Sequence, residues 1–468
     1  MVDLGNLQAI VARSSAKPLL AVLLFRFGDA GGARSFLRQW IPRAAVGAGP
    51  DPDGPAFHFM FSWNGIATLM SGRAELDVAQ GRQQFEVSFV DPAQAPDGGI
   101  ATQLGFFDAS APAGWWDGKF KSSDIDLAIH IGFDTPEQKA DCLAQVRQSA
   151  TGFAVRELAL DSWDDGALSG CRPADGRLHF GYRDGITAPN VDWQDAPAAR
   201  ASDAVDCREI VVGYPNSDFP TAPFKPGPWQ DFARDGSYVG LSWLYQDVAA
   251  FNTFLKANAP QAAPHVGPEL AEEWIAAKMM GRWRHGSPLS RFPDAPPSTP
   301  QLNDAFGYGD DPNGVKCPLG AHIRIVNCRD QPLKFANQIR FPKGPPRVIR
   351  RGFSYGPHLE GTEDDGKDRG IVGLFYFARI NEQFYTILRW MHQTDFADAY
   401  MRLPNGANAQ DALTGNRADP KAETRFQVPL AGDASVTFQM KQFIRYKGVA
   451  VLFAPSVKAL NTMIAAQG

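Results

Sequence analysis

The segment Leu19–Arg26 has the sequence LLAVLLFR, and the nearby segment Ala33–Trp40 has the sequence ARSFLRQW. The first is a continuous apolar run, too short to span a bilayer and typical of a buried strand. The second carries apolar residues at helical spacing. The chain is therefore predicted to open with a strand followed by a helix.

The same alternation continues along the chain. In the first half we predict strands at Phe57–Trp63, Ile125–Phe133 and Val155–Leu160, and a helix at Pro136–Gln148. In the second half we predict strands at Ile210–Gly213, Ser237–Tyr245, Gly373–Ile380, Ser435–Phe443 and Val449–Phe453, and helices at Asp247–Ala257, Leu270–Met280, Glu382–Met391 and Ser456–Ala466. This mixture favours an α+β, ferredoxin-like sandwich, repeated in domains at residues 1–205 and 206–468.

Composition narrows the class of protein. The 468 residues carry a formal charge of -5, which gives no global attraction to nucleic acid or anionic membranes, so we expect neither partner. The five cysteines lack metal-site spacing, and reduced thiols in a cytoplasm-like compartment fit best. Because no signal peptide, twin-arginine leader or transmembrane segment is recognised, we expect a cytoplasmic protein; packaging inside a protein shell and homo-oligomerisation stay open.

Two proline- and glycine-rich segments, Gly286–Gly314 and Phe341–Gly370, are much longer than ordinary connections. Long loops within a compact domain usually carry function. We therefore expect the chemistry of the protein beside them.

The first candidate motif is His179–Ile186, with the sequence HFGYRDGI. An Asp-Gly pair is ordinarily a turn signal, because Asp caps nearby backbone donors and Gly accepts positive φ. Taken alone, the Asp-Gly pair at Asp184 is thus better explained by a structural turn than by catalysis.

The second candidate motif is Cys317–Arg324, with the sequence CPLGAHIR. A lone histidine such as His322 is more often structural than a metal ligand. Here Arg324, Arg329 and Lys334 follow it closely, and such cations suit the two propionates of a haem whose iron the histidine binds. A solvated cationic face is the alternative interpretation.

Two further motifs lie downstream. Val348–Gly356 has the sequence VIRRGFSYG, in which the paired arginines stand between apolar residues and an aromatic turn, so at least one is expected to point inward. Gly373–Phe377 has the sequence GLFYF, which is core by default and would form the apolar wall of a pocket in a cofactor protein.

In this order and spacing the motifs resemble those of the dye-decolourising peroxidase family. The G-x-x-D-G pattern at Gly181–Gly185 is similar to the family's distal motif, Gly320–Arg324 to its proximal haem motif, and Arg350–Gly352 to its distal arginine motif. The resemblance covers nearly the whole chain and is greatest to the longer bacterial and fungal-type branch.

The resemblance implies two ferredoxin-like domains and one haem b per chain, held mainly by the C-terminal domain. It also implies roles for individual residues: His322 as the axial iron ligand, Asp184 and Arg350 as the distal catalytic pair, Arg324 and Arg329 as propionate contacts, Leu374 in the haem pocket, and Asp395 as the carboxylate that orients the axial histidine.

The implied reaction reduces hydrogen peroxide while oxidising dyes, phenolic or other aromatic donors. Asp184 would move the peroxide proton and Arg350 would stabilise developing charge. Since aspartate ordinarily ionises at lower pH than histidine, we expect activity in acid. Trp390 and Tyr385 are hypothetical relays of electrons from surface-bound dyes.

Two other interpretations stay open. A haem-binding or haem-processing protein with incidental peroxidase activity needs an iron ligand but no distal acid–base pair. A structural αβ protein without cofactor leaves all three motifs unexplained.

Overall fold

The computed structural model describes residues 2–194, 204–214, 224–302, 306–328, 330, 333–335, 338–341, 345–392, 410–420, 422, 424–432 and 434–465. The strands in these parts are β1 Leu19–Phe27, β2 Ala56–Phe61, β3 Leu127–Phe133, β4 Val155–Glu157, β5 Leu168–Cys171, β6 Val191–Asp192, β7 Val205–Asp206, β8 Ser237–Gln246, β9 Leu333–Phe335, β10 Gln338–Phe341, β11 Ile349–Arg350, β12 Phe353–Tyr355, β13 Gly370–Phe377, β14 Arg425–Pro429, β15 Ser435–Gln439 and β16 Ile444–Ala454.

The α-helices in the same parts are α1 Ala9–Ala12, α2 Ala30–Trp40, α3 Trp63–Met70, α4 Val78–Arg82, α5 Val87–Val90, α6 Pro136–Gly152, α7 Pro228–Ala233, α8 Val248–Val266, α9 Ala271–Met280, α10 His322–Asn327, α11 Thr386–His392 and α12 Val457–Ile464. A π-helical turn, Ile380–Tyr385, precedes α11. None of the helices in the described parts has the length and apolar character needed to cross a membrane.

The first half of the chain forms one ferredoxin-like unit. β1 is central and pairs antiparallel with β3 on one side and with β4 and β5 on the other, and β2 adds beyond β3. α2 follows β1 directly, because Asp29 caps it by accepting a hydrogen bond from the Gly32 amide at 2.8 Å. The order β1–α2–β2–β3–α6–β4 gives the ferredoxin-like arrangement.

The second half repeats this plan. β8 is central and pairs antiparallel with β13 and β16, and β11 and β12 add beyond β13. α8 follows β8 as α2 follows β1, with Asp247 as its cap. The protein therefore consists of two ferredoxin-like α+β units, as expected from the sequence.

The two sheets join at both ends. Ser354 of β12 pairs with Cys171 of β5, and Phe453 of β16 pairs with Phe61 of β2. Ten of the sixteen described strands thereby form one sheet that closes on itself through the β13–β8 pairing. Since this sheet runs continuously from one half to the other, it does not test the boundary at residues 205 and 206, which stays a prediction.

One predicted strand is wrong. Ile210–Gly213 follows a short 3-10 turn and is not a strand, although Ile210 and Val211 are almost fully buried. Val212 accepts a hydrogen bond from Asp235 and donates one to Gly236, so this apolar run fills the core beside a turn. Burial without sheet pairing produces the same apolar pattern as a short buried strand.

Two histidines face each other in the core of the first sheet. His58 on β2 and His130 on β3 are direct cross-strand neighbours, with Nδ1 atoms 3.2 Å apart, and both side chains are buried. Burial lowers the pKa of His58 from 6.5 to about 3; Asp51 opposes this effect, and Arg13 and Arg351 add to it. Burial also lowers the pKa of His130, so the pair is neutral near pH 7.

We expect this pair to make the protein sensitive to acid. Between pH 6.5 and about 3 the unfolded chain binds a proton at His58 that the folded chain does not, so stability is lost as pH falls. Where the two states differ by one whole proton, His58 alone changes the free energy of unfolding by about 1.4 kcal/mol per pH unit. The free energy of unfolding, measured by urea unfolding between pH 7 and 4, should depend less steeply on pH in His58→Leu than in the parent. The control His265→Leu, at an exposed helical position, should behave like the parent. An unchanged slope in His58→Leu would contradict this account.

Candidate active site

The distal motif lies in a tight hairpin, with Asp184 at the end away from the tip. The hairpin closes through hydrogen bonds from Leu178 to Tyr182 and from Asp184 to Gly176. Phe180 stacks on Phe251 of α8 with ring centroids 4.4 Å apart, and the Tyr182 hydroxyl donates to the Ala276 carbonyl of α9 at 2.7 Å. The two aromatic residues are thus buried anchors, and the Asp184 carboxylate is left exposed.

Gly185 completes this turn. Its φ of +76° lies in the left-handed region that favours glycine. The Asp-Gly pair is therefore a turn, as the simpler interpretation requires, and the turn presents a free carboxylate.

Arg350 reaches the same loop from the second ferredoxin-like unit. It lies on β11 opposite Phe375 of β13, and its Nη2 donates to the Thr187 carbonyl at 3.0 Å. On the other side of Thr187, Nη2 of Arg282 lies 3.4 Å from the side-chain hydroxyl. The structure thus brings Arg350 to the loop that carries Asp184, three residues from it in sequence.

A further cation acts on Asp184. Burial lowers the pKa of Arg172, and the negative charges of Asp184 and Asp51 oppose that shift. Arg172 lies twelve positions before Asp184 and outside every motif, so no local pattern marks it.

The proximal motif begins helix α10. His322 is the first residue of this helix, and its side chain is 22% exposed. Its Nδ1 lies 2.7 Å from Oδ2 of Asp411, whose side chain is fully buried. Nδ1 is thereby the nitrogen that binds the carboxylate, which leaves Nε2 as the nitrogen able to bind a metal.

Asp411 is held as an ionised acceptor. Burial raises its pKa, but attraction to His322 and hydrogen bonds from His322 and from the amides of Thr414 and Leu413 outweigh burial, so the net pKa is lowered. Both amides donate to Oδ1 at 2.9 Å. Asp411 therefore occupies the position that was predicted for Asp395. This corrects the prediction, because Nδ1 of His322 has a single proton to donate and Asp411 accepts it. Asp395 itself lies outside the described residues.

Arg324 has a different environment from the one expected. Its side chain is fully buried, forms an ion pair with Asp311 at 3.0 Å and donates to the Cys317 carbonyl at 2.6 Å. Its guanidinium also stacks over Tyr308 at 4.6 Å. Arg324 therefore forms a buried ion pair, and its contact with a propionate stays a prediction; Arg329, the other residue expected there, lies outside the described residues.

Leu374 lies inside the core. It is 0% exposed and pairs with Leu241 of β8 inside the core cluster shared by both units. Alternate residues of a strand face opposite sides, so Phe375, which is paired with Arg350, shares the face of that arginine. Phe375 is half-buried, and the place of Leu374 in a haem pocket stays a prediction.

The hypothetical electron relays are not at the surface. Trp390 and Tyr385 are 3% and 0% exposed, and the Tyr385 hydroxyl donates to the Gln94 carbonyl at 2.8 Å. A dye on the surface therefore has no direct contact with either ring.

Known proteins with similar sequences point to one family, although no family model matches the chain. Dye-decolorizing peroxidase msp1 of Mycetinis scorodonius is 28% identical over 316 residues, which cover 63% of this chain and 58% of that protein. The multifunctional dye peroxidase DyP2 of an Amycolatopsis species is 24% identical over 98% of this chain and 96% of its own length.

A solved structure agrees in fold. A dye-decolorizing peroxidase in complex with 2,6-dimethoxyphenol superposes with a TM-score of 0.76, covers all of both chains and is 24% identical. The fold extends over the same two units described above. Together with the fungal and bacterial relatives, it shows that the chain is similar to dye-decolourising peroxidases in sequence and in fold.

Proposed function

We propose that this protein is a haem peroxidase that reduces hydrogen peroxide and oxidises dyes, phenols or other aromatic donors, with one haem b per chain. The observation that carries the proposal is the His322–Asp411 pair, with Nδ1 and Oδ2 2.7 Å apart. The Asp184 loop with Arg350 bound to it supplies the second half of the site. A pure haem carrier has no need of that second half.

The residues present fit a haem. An imidazole whose Nδ1 is held by a buried carboxylate is a strongly donating ligand through Nε2, and the 22% exposure of the His322 side chain leaves it accessible. The half-buried Phe375 beside Arg350 supplies an apolar surface. Bound haem would supply the iron at which the O–O bond of peroxide is cleaved and the oxidising equivalents are held.

The protein's own residues handle the proton and the charge. The Asp184 carboxylate takes the proton from one oxygen of peroxide and returns it to the other, so that water rather than hydroxide leaves. Arg350, permanently charged and held by the Thr187 carbonyl, stabilises negative charge as the O–O bond lengthens. Both groups are exposed in the structure, which leaves them accessible to peroxide.

The donor class follows from the relatives. The fungal and bacterial relatives are named for dyes, and the solved structure holds 2,6-dimethoxyphenol. We extend this class of electron-rich aromatic donor to the present chain. Hydrogen peroxide is the expected oxidant.

The test is haem binding by purified protein. We expect the parent to bind haem with an intense Soret band, and His322→Ala to lose most of that band because the axial nitrogen is gone. Added imidazole should restore part of the band in His322→Ala. The measurement is titration with haem followed by absorption spectroscopy.

The matched control is His265→Ala, at an exposed position near the end of α8. It should bind haem like the parent. A parent protein that binds no haem, or equal Soret bands in His322→Ala and the parent, would refute the assignment of the iron ligand.

A further inference from the structure

Asp411 belongs to a short turn formed by residues 410–417, called the proximal turn below. The backbone oxygen of Asp411 accepts hydrogen bonds from the Gly415 amide at 3.0 Å and from Nη2 of Arg417 at 2.7 Å. The Gln410 side chain donates to the carbonyls of His392 and Asn416, at 2.5 and 2.8 Å, and accepts a hydrogen bond from Arg417. The direction of the Asp411 carboxylate is therefore determined by the whole turn.

Two buried side chains attach this turn and the adjacent end of α11 to the first ferredoxin-like unit. Nδ1 of His392 lies 2.9 Å from the Leu104 carbonyl. Nδ2 of Asn416 donates to the carbonyls of Gly105 and Phe107, at 2.9 and 3.1 Å. His392 and Asn416 are only 1% and 3% exposed. Residues 104–107, called the strap below, thus receive three hydrogen bonds from the proximal side.

The strap fits His392 closely. Gly105 has a φ of +84°, and a Cβ atom there would lie 2.1 Å from Cβ of His392. On its other sides the imidazole packs against Phe106 and Tyr446, with ring centroids 5.8 and 5.0 Å away. Because burial lowers the pKa of His392 to about 4, the ring is neutral, and its bond to a carbonyl requires the proton on Nδ1.

We propose that His392 and Asn416 are positioning residues, which hold Asp411 against His322 by fixing the proximal turn to the strap. This inference rests on the proposed function, because its consequence lies at the iron. The hydrogen bond from His322 to Asp411 strengthens electron donation by the imidazole, and stronger donation lowers the reduction potential of the iron. A loosened turn lengthens that hydrogen bond and raises the potential.

The experiment compares variants of the haem-loaded protein by two measurements: the ferric–ferrous reduction potential and the iron–histidine stretching frequency of the ferrous form. Asp411→Asn is the reference, and we expect a raised potential and a lowered frequency. Asn416→Leu and His392→Leu should shift both quantities in the same direction by a smaller amount. His392→Asn should stay close to the parent, since the asparagine amide can donate from nearly the position of Nδ1.

Asn416→Asp provides a milder change if Asn416→Leu yields no soluble protein, because it keeps the size but loses the donor. Asn258→Leu is the matched control: Asn258 also donates to a backbone carbonyl, that of Phe254, but lies on α8. It should leave both quantities unchanged.

The outcomes separate this inference from the proposed function. If Asp411→Asn shifts both quantities and every strap variant matches the parent, the positioning role is refuted and the haem site stands. If the parent binds no haem, the proposed function itself fails. A merely structural role would lower stability in the strap variants without moving the potential.

Discussion

Asp184→Asn should react with hydrogen peroxide about 10²- to 10⁴-fold more slowly than the parent, the usual contribution of general acid–base catalysis. The substitution keeps the size of the side chain and the hydrogen bond from its backbone amide to the Gly176 carbonyl. The negative charge and the ability to accept and return a proton are lost. The measurement is stopped-flow absorption of the haem-loaded protein over a range of peroxide concentrations, with the slope giving the second-order rate constant.

The control for this experiment lies in the neighbouring turn. Asp175 is exposed and accepts a hydrogen bond from the Arg177 amide at 3.0 Å, which an asparagine oxygen can also accept. Asp175→Asn therefore removes the same charge nearby without removing the proposed base, and it should react like the parent. Equal rate constants for Asp184→Asn and Asp175→Asn would contradict the assignment and favour a haem-binding protein with incidental activity.

The pH dependence adds a second criterion. Because a carboxylate ionises at lower pH than an imidazole, dye oxidation by the parent should persist in acid. Folding must be checked at each pH in these experiments, because the His58–His130 pair lowers the stability of the fold as the pH falls. A parent with a neutral or alkaline optimum would speak against Asp184 as the base.

The elements and the catalytic motifs were accessible from sequence because their signals are local. The strand–helix order at β1 and α2 follows from adjacent apolar patterns, and Asp184 and Gly185 form the turn that their residue types predict. The inward-facing arginine expected in VIRRGFSYG is Arg351, which is 9% exposed and donates to the Ile10 carbonyl at 2.8 Å, whereas Arg350 is exposed. Short-range patterns carry such features because backbone preferences act over a few residues.

The partner of His322 had no local signal. Asp411 lies 89 residues from it in sequence. Nothing in the local sequence distinguishes this aspartate from the many others in the chain. The strap contacts span still larger separations, 311 residues between Asn416 and Gly105. Only the pairing of the two ferredoxin-like units brings these groups together.

Arg324 shows that a local signal can be incomplete. A cation two residues after His322 suggested a propionate, and the structure adds a second partner, Asp311, which lies 13 residues upstream and pairs with the arginine inside the core. Charge pattern reveals that an arginine needs a partner, whereas burial decides which partner it has.

Asp311→Asn should destabilise the protein by about 3–5 kcal/mol, because it leaves the charge of Arg324 buried without its counter-ion. The pair is well satisfied in the parent: the side chains are 3% and 0% exposed, and Asp311 also accepts hydrogen bonds from the amides of Lys316 and Cys317, at 3.1 and 2.9 Å. The measurement is urea unfolding with and without haem. Loss of a structural ion pair lowers the free energy of unfolding with and without haem. Loss of a propionate contact would lower it only in the haem-bound protein.

The neighbouring pair between Asp310 and Lys316 is the matched control, with the two charged atoms 2.6 Å apart and side chains 67% and 36% exposed. Asp310→Asn should leave stability almost unchanged, because water screens an exposed pair and solvates the lysine that remains. The double variant Asp311→Asn with Arg324→Met should recover much of the lost stability, since removing both charges avoids an uncompensated buried ion. The prediction is contradicted if haem-free Asp311→Asn is as stable as Asp310→Asn but binds haem more weakly. In that case the Arg324–Asp311 pair contributes to haem binding rather than to the stability of the fold.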